Sequence, residues 1–156
     1  RDGELRQRSQ QRRERVATAE SCTGGLVAEK LTRVPGISAV FDRGFVTYSN
    51  EAKSETLGVP EQLIADHGAV SAEVARAMAA GALMSSLADV SVAVTGVAGP
   101  GGGTALKPVG LVHVAAARLG GDAIHQECRF GDVGRGEVRL RTVDVALDLV
   151  ARLITP

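Results

Sequence analysis

Apolar and polar positions change rhythm several times along the chain, and each change predicts an element. The stretch RVATA (15–19) reads as a short strand, and CTGGLVAEKLTRV (22–34) reads as a helix closed by Pro35-Gly36. VFDRGFVTYS (40–49) is rich in β-formers. NEAKSETLG begins a short helix capped by Ser49 or Asn50 and stopped at Gly58. PEQLIADHG places Pro60 in a first helical turn. Over 71–87 the apolar residues Val74, Met78 and Ala82 share a helical face behind a Ser71 cap.

DVSVAVTGVAG (89–99) is an apolar, valine-rich run, the pattern of a strand buried on both faces. VGLVHVAAARL and DAIHQECRF form a hairpin around Gly120-Gly121. The last segment, RGEVRLRTVDVALDLVARLI, repeats Val143, Ala146, Leu147, Val150 and Ile154 at helical spacing. Strands alternating with helices predict an α/β domain, and the late hairpin makes its sheet mixed. The expected fold is a three-layer α/β/α sandwich, with residues 1–156 forming one domain. Residues 1–14 are a charged leader, helical or frayed, with almost no face to bury.

Composition narrows the function. The length, 156 residues, suits one core, and 44% hydrophobic content is ordinary for a globular chain. Lys+Arg and Asp+Glu balance at 18 each, and aromatics make up 3%, so neither charge nor stacking platforms point to nucleic acid. Cys22 and Cys128 make no disulfide framework, and His67, His113 and His125 are scattered without metal-ligand spacing. No apolar run is long enough to span a membrane, and no signal peptide is visible, so a cytoplasmic location is expected. The chain opens on Arg1 rather than Met, so residues are expected to precede it.

Three loops fall where an open α/β sheet binds ligands, at the carboxyl ends of strands: ESCTGG, TYSNEAK and TGVAGPGGGT. Ser21 sits between a strand and a helix start. As a nucleophile it would set an oxyanion against the N–H groups of Cys22, Thr23 or Gly24, with Gly24 and Gly25 clearing room for a ligand. The same pattern also suits a plain helix cap by Ser21 or Thr23. Cys22 is a rival nucleophile, acidified at a helix start, or else buried filler.

A serine nucleophile needs a base, and Lys53 is the better candidate, since no histidine is placed to serve. It falls in a first helical turn, where the dipole disfavours a cation and burial would lower its pKa further. The alternative is an exposed surface lysine. Tyr48, the only tyrosine, either relays a proton, packs on a planar substrate, or ends a strand with a wet hydroxyl. The loop from Thr95 to Thr104 lacks a Walker pattern and is either an anion nest or a turn. Arg135 and Arg139, one helical turn apart, suit a phosphate or a solvated pair.

The motifs TAESCTGGLVAEKL, RGFVTYSNEAKSETLGV, HGAVSAEVARAMAAGAL and VAVTGVAGPGGGTALKPVGLVHVA occur in that order. Together they closely resemble the CinA C-terminal domain family, which includes nicotinamide mononucleotide deamidases, over about residues 15–154. The resemblance implies a three-layer α/β domain that hydrolyses the amide of nicotinamide mononucleotide, with no metal or organic cofactor. It implies Ser21 as nucleophile and Lys53 as base, with Tyr48 in the same matched motif. Thr95, Gly96 and Gly99 match the family's TGIAGP loop, and Arg135 and Arg139 match arginines near its last helix. Cys22, Thr23, Gly24 and Gly25 complete the expected substrate-binding set.

Two features depart from the family pattern. Val133 and Gly134 stand between Gly-Asp and Arg135, and residues 1–15 lack the amphipathic pattern of the family's first helix. The implied partner is a small nucleotide substrate, with no nucleic acid or membrane, and a homo-oligomer is compatible. The competing function is a non-catalytic nucleotide- or protein-binding domain of the competence and DNA-damage type.

Overall fold

The computed structural model describes residues 14–33 and 40–154. The expected leader, up to residue 13, and the Pro35-Gly36 stop lie outside the described residues. Ten elements follow in order: β1 (Val16–Glu20), α1 (Leu26–Thr32), β2 (Phe41–Val46), α2 (Asn50–Leu57), α3 (Glu61–His67), α4 (Ala72–Met84), β3 (Val90–Gly96), β4 (Leu111–Arg118), β5 (Ala123–Arg129) and α5 (Arg135–Ile154). The five strands form one sheet in the order β2-β1-β3-β4-β5. β2, β1 and β3 run parallel, and β4 and β5 add the antiparallel hairpin, so the sheet is mixed as expected.

The sheet's two faces carry different side-chain sizes. Val16, Val90, Val92, Val94, Val112 and Val114 point to one face and pack with α1 and α5. Ala17, Ala19, Ala93, Ala115 and Ala117 point to the other and pack with α2, α3 and α4. Both faces are apolar, which is why the strands read as continuous runs rather than alternating ones. The helices on each side make the three-layer α/β/α arrangement. Ser91 is a polar interruption on the alanine face, and its hydroxyl donates to the Ala79 carbonyl at 2.7 Å.

Small residues on α4 also let α2 come close. A Cβ added at Gly81 would lie 1.9 Å from the Leu57 carbonyl oxygen. Ser49 caps α2 by accepting from the Ala52 N–H, and Gly58 closes it in the left-handed region at φ 69°. Ser71 caps α4 through the Val74 N–H. The expected helix over 71–87 ends earlier, at Met84, and Pro60 caps α3 from outside rather than sitting in its first turn. At the bottom of the sheet, Arg118 donates to Glu14 and to the Leu153 carbonyl, which ties the end of the charged leader to the end of α5.

The largest difference concerns the helix expected from Cys22. It begins only at Leu26, because Gly24 and Gly25 adopt φ of 58° and 106°. A right-handed helix cannot pass through two such residues. Residues 21–25 instead form consecutive turns between β1 and α1.

Candidate active site

Strand order reverses about β1, with β2 on one side and β3 on the other. The carboxyl ends of these parallel strands therefore diverge into a crevice where the connecting loops leave the sheet. The chain registers there through main-chain bonds: the Ser21 N–H donates to Val94 at 3.0 Å, and the Thr47 N–H donates to Glu20 at 2.9 Å. Ser21 thus leaves β1 beside the end of β3, while Thr47 and Tyr48 leave β2 on its other flank.

Lys53 reaches into this crevice from the first turn of α2. It is 1% exposed and is among the largest fully buried side chains. Its Nζ lies 3.1 Å from Ser21 Oγ, 3.0 Å from the Thr47 carbonyl and 3.1 Å from the Tyr48 carbonyl. Among the described residues it has no carboxylate partner. Burial lowers its pKa from the usual lysine value. A thiolate at Cys22 would act in the opposite direction. That thiol, however, is itself pushed up to about 12 by burial, so it stays protonated and does not offset the effect.

This geometry gives a neutral amine a defined orientation. Two carbonyls accept its two hydrogens, which leaves the lone pair facing the Ser21 hydroxyl. Ser21 is itself mostly buried, at 8% exposure. Neither Ser21 nor Thr23 caps the helix: Gly25 occupies the cap position with no side-chain bond, and the Thr23 hydroxyl donates to Glu20 at 2.6 Å. The reading of Lys53 as an exposed surface residue is likewise overturned by its burial.

The expected oxyanion donors change with the late helix start. The Gly24 N–H is spent on the Ser21 carbonyl at 3.0 Å. The helix's own Val27 and Ala28 N–H groups go to the Glu20 carboxyl. Among the described residues, the N–H groups of Cys22 and Thr23 meet no backbone carbonyl.

A cavity of ≈ 200 Å3 opens over the Ser21–Lys53 pair. Of the expected residues, Cys22, Tyr48, Thr95, Gly96 and Arg135 also line it. Tyr48 is 61% exposed and stands at the mouth. Its hydroxyl accepts from Arg135 at 3.1 Å, and the same guanidinium donates to the Gly99 carbonyl at 2.8 Å. Arg135 therefore links the β2–α2 loop to the glycine-rich loop, despite the residues inserted before it. Among the described residues no carboxylate lines the cavity, and Arg135 is its permanently charged cation, with Lys53 its other basic side chain.

Other expected residues stand back from the cavity. Thr23 is fully buried, and Gly99 contributes its carbonyl to Arg135. Gly24 and Gly25 shape the turn. Arg139 donates to the Thr23 carbonyl at 2.9 Å, so it holds the turn from behind.

Sequence reasoning missed Asn50, Ala69, Val70 and Ala98, which complete the cavity wall. Asn50 looked like a cap, and the other three are apolar residues that carry no chemical signal. The three histidines are not all scattered in space: His113 Nδ1 and His125 Nε2 meet at 2.9 Å on the α4 side of the sheet. Among the described residues no cluster of histidine, cysteine or acidic side chains is arranged to hold a metal ion, and no helix is long and apolar enough to cross a membrane.

Known proteins share this sequence pattern and fold. The CinA C-terminal domain model matches residues 2–154. A Caldicellulosiruptor bescii protein with a competence-damage inducible name is 61% identical over 142 residues, which is 90% of this chain and 34% of that protein. A CinA-like protein of Chloroherpeton thalassium is 50% identical over 142 residues, covering 89% of this chain and 34% of the relative. The chain thus spans about a third of the length of the curated relatives it matches. Among solved structures, the competence/damage inducible protein CihA of Agrobacterium tumefaciens superposes with a TM-score of 0.90 at 50% identity, over 97% of this chain and 96% of that one. A CinA superfamily protein of Klebsiella pneumoniae gives a TM-score of 0.92 at 33% identity, over 98% and 94%. The match covers the segments that carry Ser21, Lys53 and Arg135, and the chain belongs to the CinA C-terminal domain family.

Proposed function

We propose that this chain is an amidohydrolase that converts nicotinamide mononucleotide to nicotinic acid mononucleotide and ammonia through a Ser21–Lys53 pair. The observation that carries the reading is the 3.1 Å contact between a buried, carboxylate-free lysine and a serine hydroxyl at the floor of a cavity. A lysine whose pKa burial lowers is suited to accept a serine proton.

The reaction has two halves. Lys53 Nζ takes the Ser21 proton as Oγ bonds to the carboxamide carbon. The carbonyl oxygen gains the negative charge and is met by the Cys22 N–H at the cavity wall. The C–N bond then breaks, and Lys53 returns its proton to the departing nitrogen, which leaves as ammonia. In the second half Lys53 draws a proton from water, the resulting hydroxyl bonds to the acyl carbon, and the ester C–O bond to Ser21 breaks. The products are a carboxylic acid and the restored hydroxyl.

Arg135, at the mouth of a cavity with no carboxylate in its lining, supports an anionic substrate and would anchor it. The glycine-rich loop is held beside that anchor by the Arg135–Gly99 bond. A role limited to nucleotide or protein binding leaves the Ser21–Lys53 contact without a purpose.

The substrate assignment is tested by ammonia release from nicotinamide mononucleotide, nicotinamide riboside and nicotinamide. The mononucleotide should be turned over fastest, and Arg135→Ala should erase its advantage over the riboside. Equal turnover of all three by the wild type would refute the nucleotide assignment.

A further inference from the structure

Glu20 is the last residue of β1 and directly precedes Ser21. It is 1% exposed and does not line the cavity. Its Oε1 accepts from the Thr23 hydroxyl at 2.6 Å and from the Val27 N–H at 2.8 Å, and its Oε2 accepts from the Ala28 N–H at 3.0 Å. Three donors on one buried carboxyl group make a costly arrangement to break, because each would be left without a partner. Its main chain engages the other flank: the Glu20 carbonyl accepts from the Thr47 N–H at 2.9 Å, and the Thr47 carbonyl in turn accepts from Lys53. One residue therefore holds both the turn carrying Ser21 and the loop that orients the lysine.

The turn has few other means of keeping its shape. Gly24 and Gly25 are in left-handed backbone and contribute no side chain. The other ties are main-chain bonds from Ser21 to Val94, from Gly24 to Ser21 and from Leu26 to Thr23, and the Arg139 bond to the Thr23 carbonyl. The seven-residue α1 has no side-chain bond from its own cap, so Glu20 serves it from six positions before its first residue. That role also decides which amides remain available. The carboxyl group occupies the Val27 and Ala28 N–H groups, and the N–H of Cys22, at the cavity wall, meets no backbone carbonyl among the described residues.

We infer that Glu20 is a positioning residue for acyl transfer: its carboxyl group, through the Thr23 hydroxyl and the start of α1, sets the turn in which Ser21 Oγ faces Lys53 and the Cys22 N–H meets no backbone carbonyl and can receive the oxyanion. The inference rests on the acyl-transfer reading of the site but does not depend on which amide is the substrate. Glutamine at position 20 would present an NH2 group to one of the three donors, so the geometry would fail at a defined point. Thr23 is buried, so removing its hydroxyl changes this network without touching a ligand.

The test compares wild type, Glu20→Gln, Thr23→Val and Thr23→Ser in three measurements. The first is the rate at which a fluorophosphonate modifies Ser21, located by peptide mass spectrometry. In that step Oγ bonds to phosphorus, fluoride leaves, and Lys53 takes the proton. The second is ammonia release from nicotinamide mononucleotide, with kcat and KM resolved, and the third is the folded fraction from thermal unfolding.

Glu20→Gln should slow both reactions by about 10²-fold per folded molecule, the scale of a misplaced reacting group. KM should stay within about twofold, because the Arg135 end is untouched. Thr23→Val should lose roughly tenfold, the scale of one buried hydrogen bond, and Thr23→Ser should recover it. The inference is overturned if Glu20→Gln and Thr23→Val are labelled at the wild-type rate per folded molecule, or if KM rises in step with the loss of kcat. A wild type that is labelled at Ser21 but releases no ammonia refutes the substrate assignment alone, and the labelling series still decides the role of Glu20. A wild type that is not labelled at Ser21 refutes both.

Discussion

Lys53 Nζ meets Ser21 Oγ at 3.1 Å across a sequence separation of 32 residues, and the two side chains arrive from different elements. The serine comes from the end of the central parallel strand, and the lysine from a helix three elements later. The contact is buried, and its only other polar neighbours around Nζ, among the described residues, are the Thr47 and Tyr48 carbonyls.

The first prediction concerns pH. Burial lowers the Lys53 pKa below the ordinary lysine value of 10.5. Activity, which needs the neutral amine, should rise with pH along a limb that lies below that value. Stability follows the same proton. The unfolded chain binds a proton at Lys53 that the folded chain releases, so stability from this group rises with pH between the lowered pKa and 10.5. Urea unfolding of wild type and Lys53→Met at several pH values should show the wild type gaining on the variant as pH increases. A difference that is flat with pH would contradict the lowered pKa.

The second concerns the mouth of the cavity. Arg135 forks between the Gly99 carbonyl and the Tyr48 hydroxyl, a planar geometry that lysine cannot reproduce. Arg135→Lys should raise KM by about tenfold or more while changing kcat less. Tyr48→Phe should cost about fivefold, the scale of one partly exposed hydrogen bond. Steady-state kinetics of the two variants check both values.

A third prediction follows from the histidine pair. His113 is pushed down mainly by burial and then by His125, while His125 is pushed down by burial and then by Arg76. Glu73 and Glu127 pull both rings the other way, and Lys107 adds to the lowering at His113. Rings whose folded pKa lies below 6.5 resist protonation, so their contribution to stability is complete above that pH and is lost as pH falls below it. The thermal midpoint should therefore drop between pH 7.5 and 5, and His125→Gln should flatten that drop. These values bracket the ordinary histidine range.

The fourth tests the contact between α2 and α4. Alanine usually stabilises a helix interior relative to glycine by about 0.5–1 kcal/mol. At Gly81 its Cβ would fall 1.9 Å from the Leu57 carbonyl oxygen, so α2 must move. Gly81→Ala should lower the thermal midpoint and also reduce activity, because α2 carries Lys53. A stabilised variant with full activity would contradict this packing.

Much of the fold was legible because the apolar rhythm reports elements directly. The α5 pattern from Arg135 to Ile154 gave both its limits, and the valine runs marked β3 and β4. The start of α1 was not legible from periodicity, since CTGG looks like an acceptable first turn. What decides it is the left-handed backbone at Gly24 and Gly25, together with a cap reaching forward from Glu20. The signal was the doubled glycine, which breaks a helix as readily as it clears space for a ligand.

The site was legible in part. Ser21, Tyr48, Lys53 and Arg135 are polar residues at strand ends or helix starts, where pattern and motif agree, and the cavity gathers them. Glu20 was hidden because an acidic residue at a strand end reads as solvent-facing. The histidine contact was hidden because His113 and His125 meet only through the β4–β5 register, in which Ala115 stands opposite His125.

The measurement that bears most directly on the central claim is the single-turnover rate of ammonia release from nicotinamide mononucleotide by wild type, Ser21→Ala and Lys53→Met, each verified as folded. The account predicts rapid release by the wild type and losses on the order of 10³-fold or more in both variants, as for removal of a nucleophile or its base. Release by Ser21→Ala at the wild-type rate would contradict it.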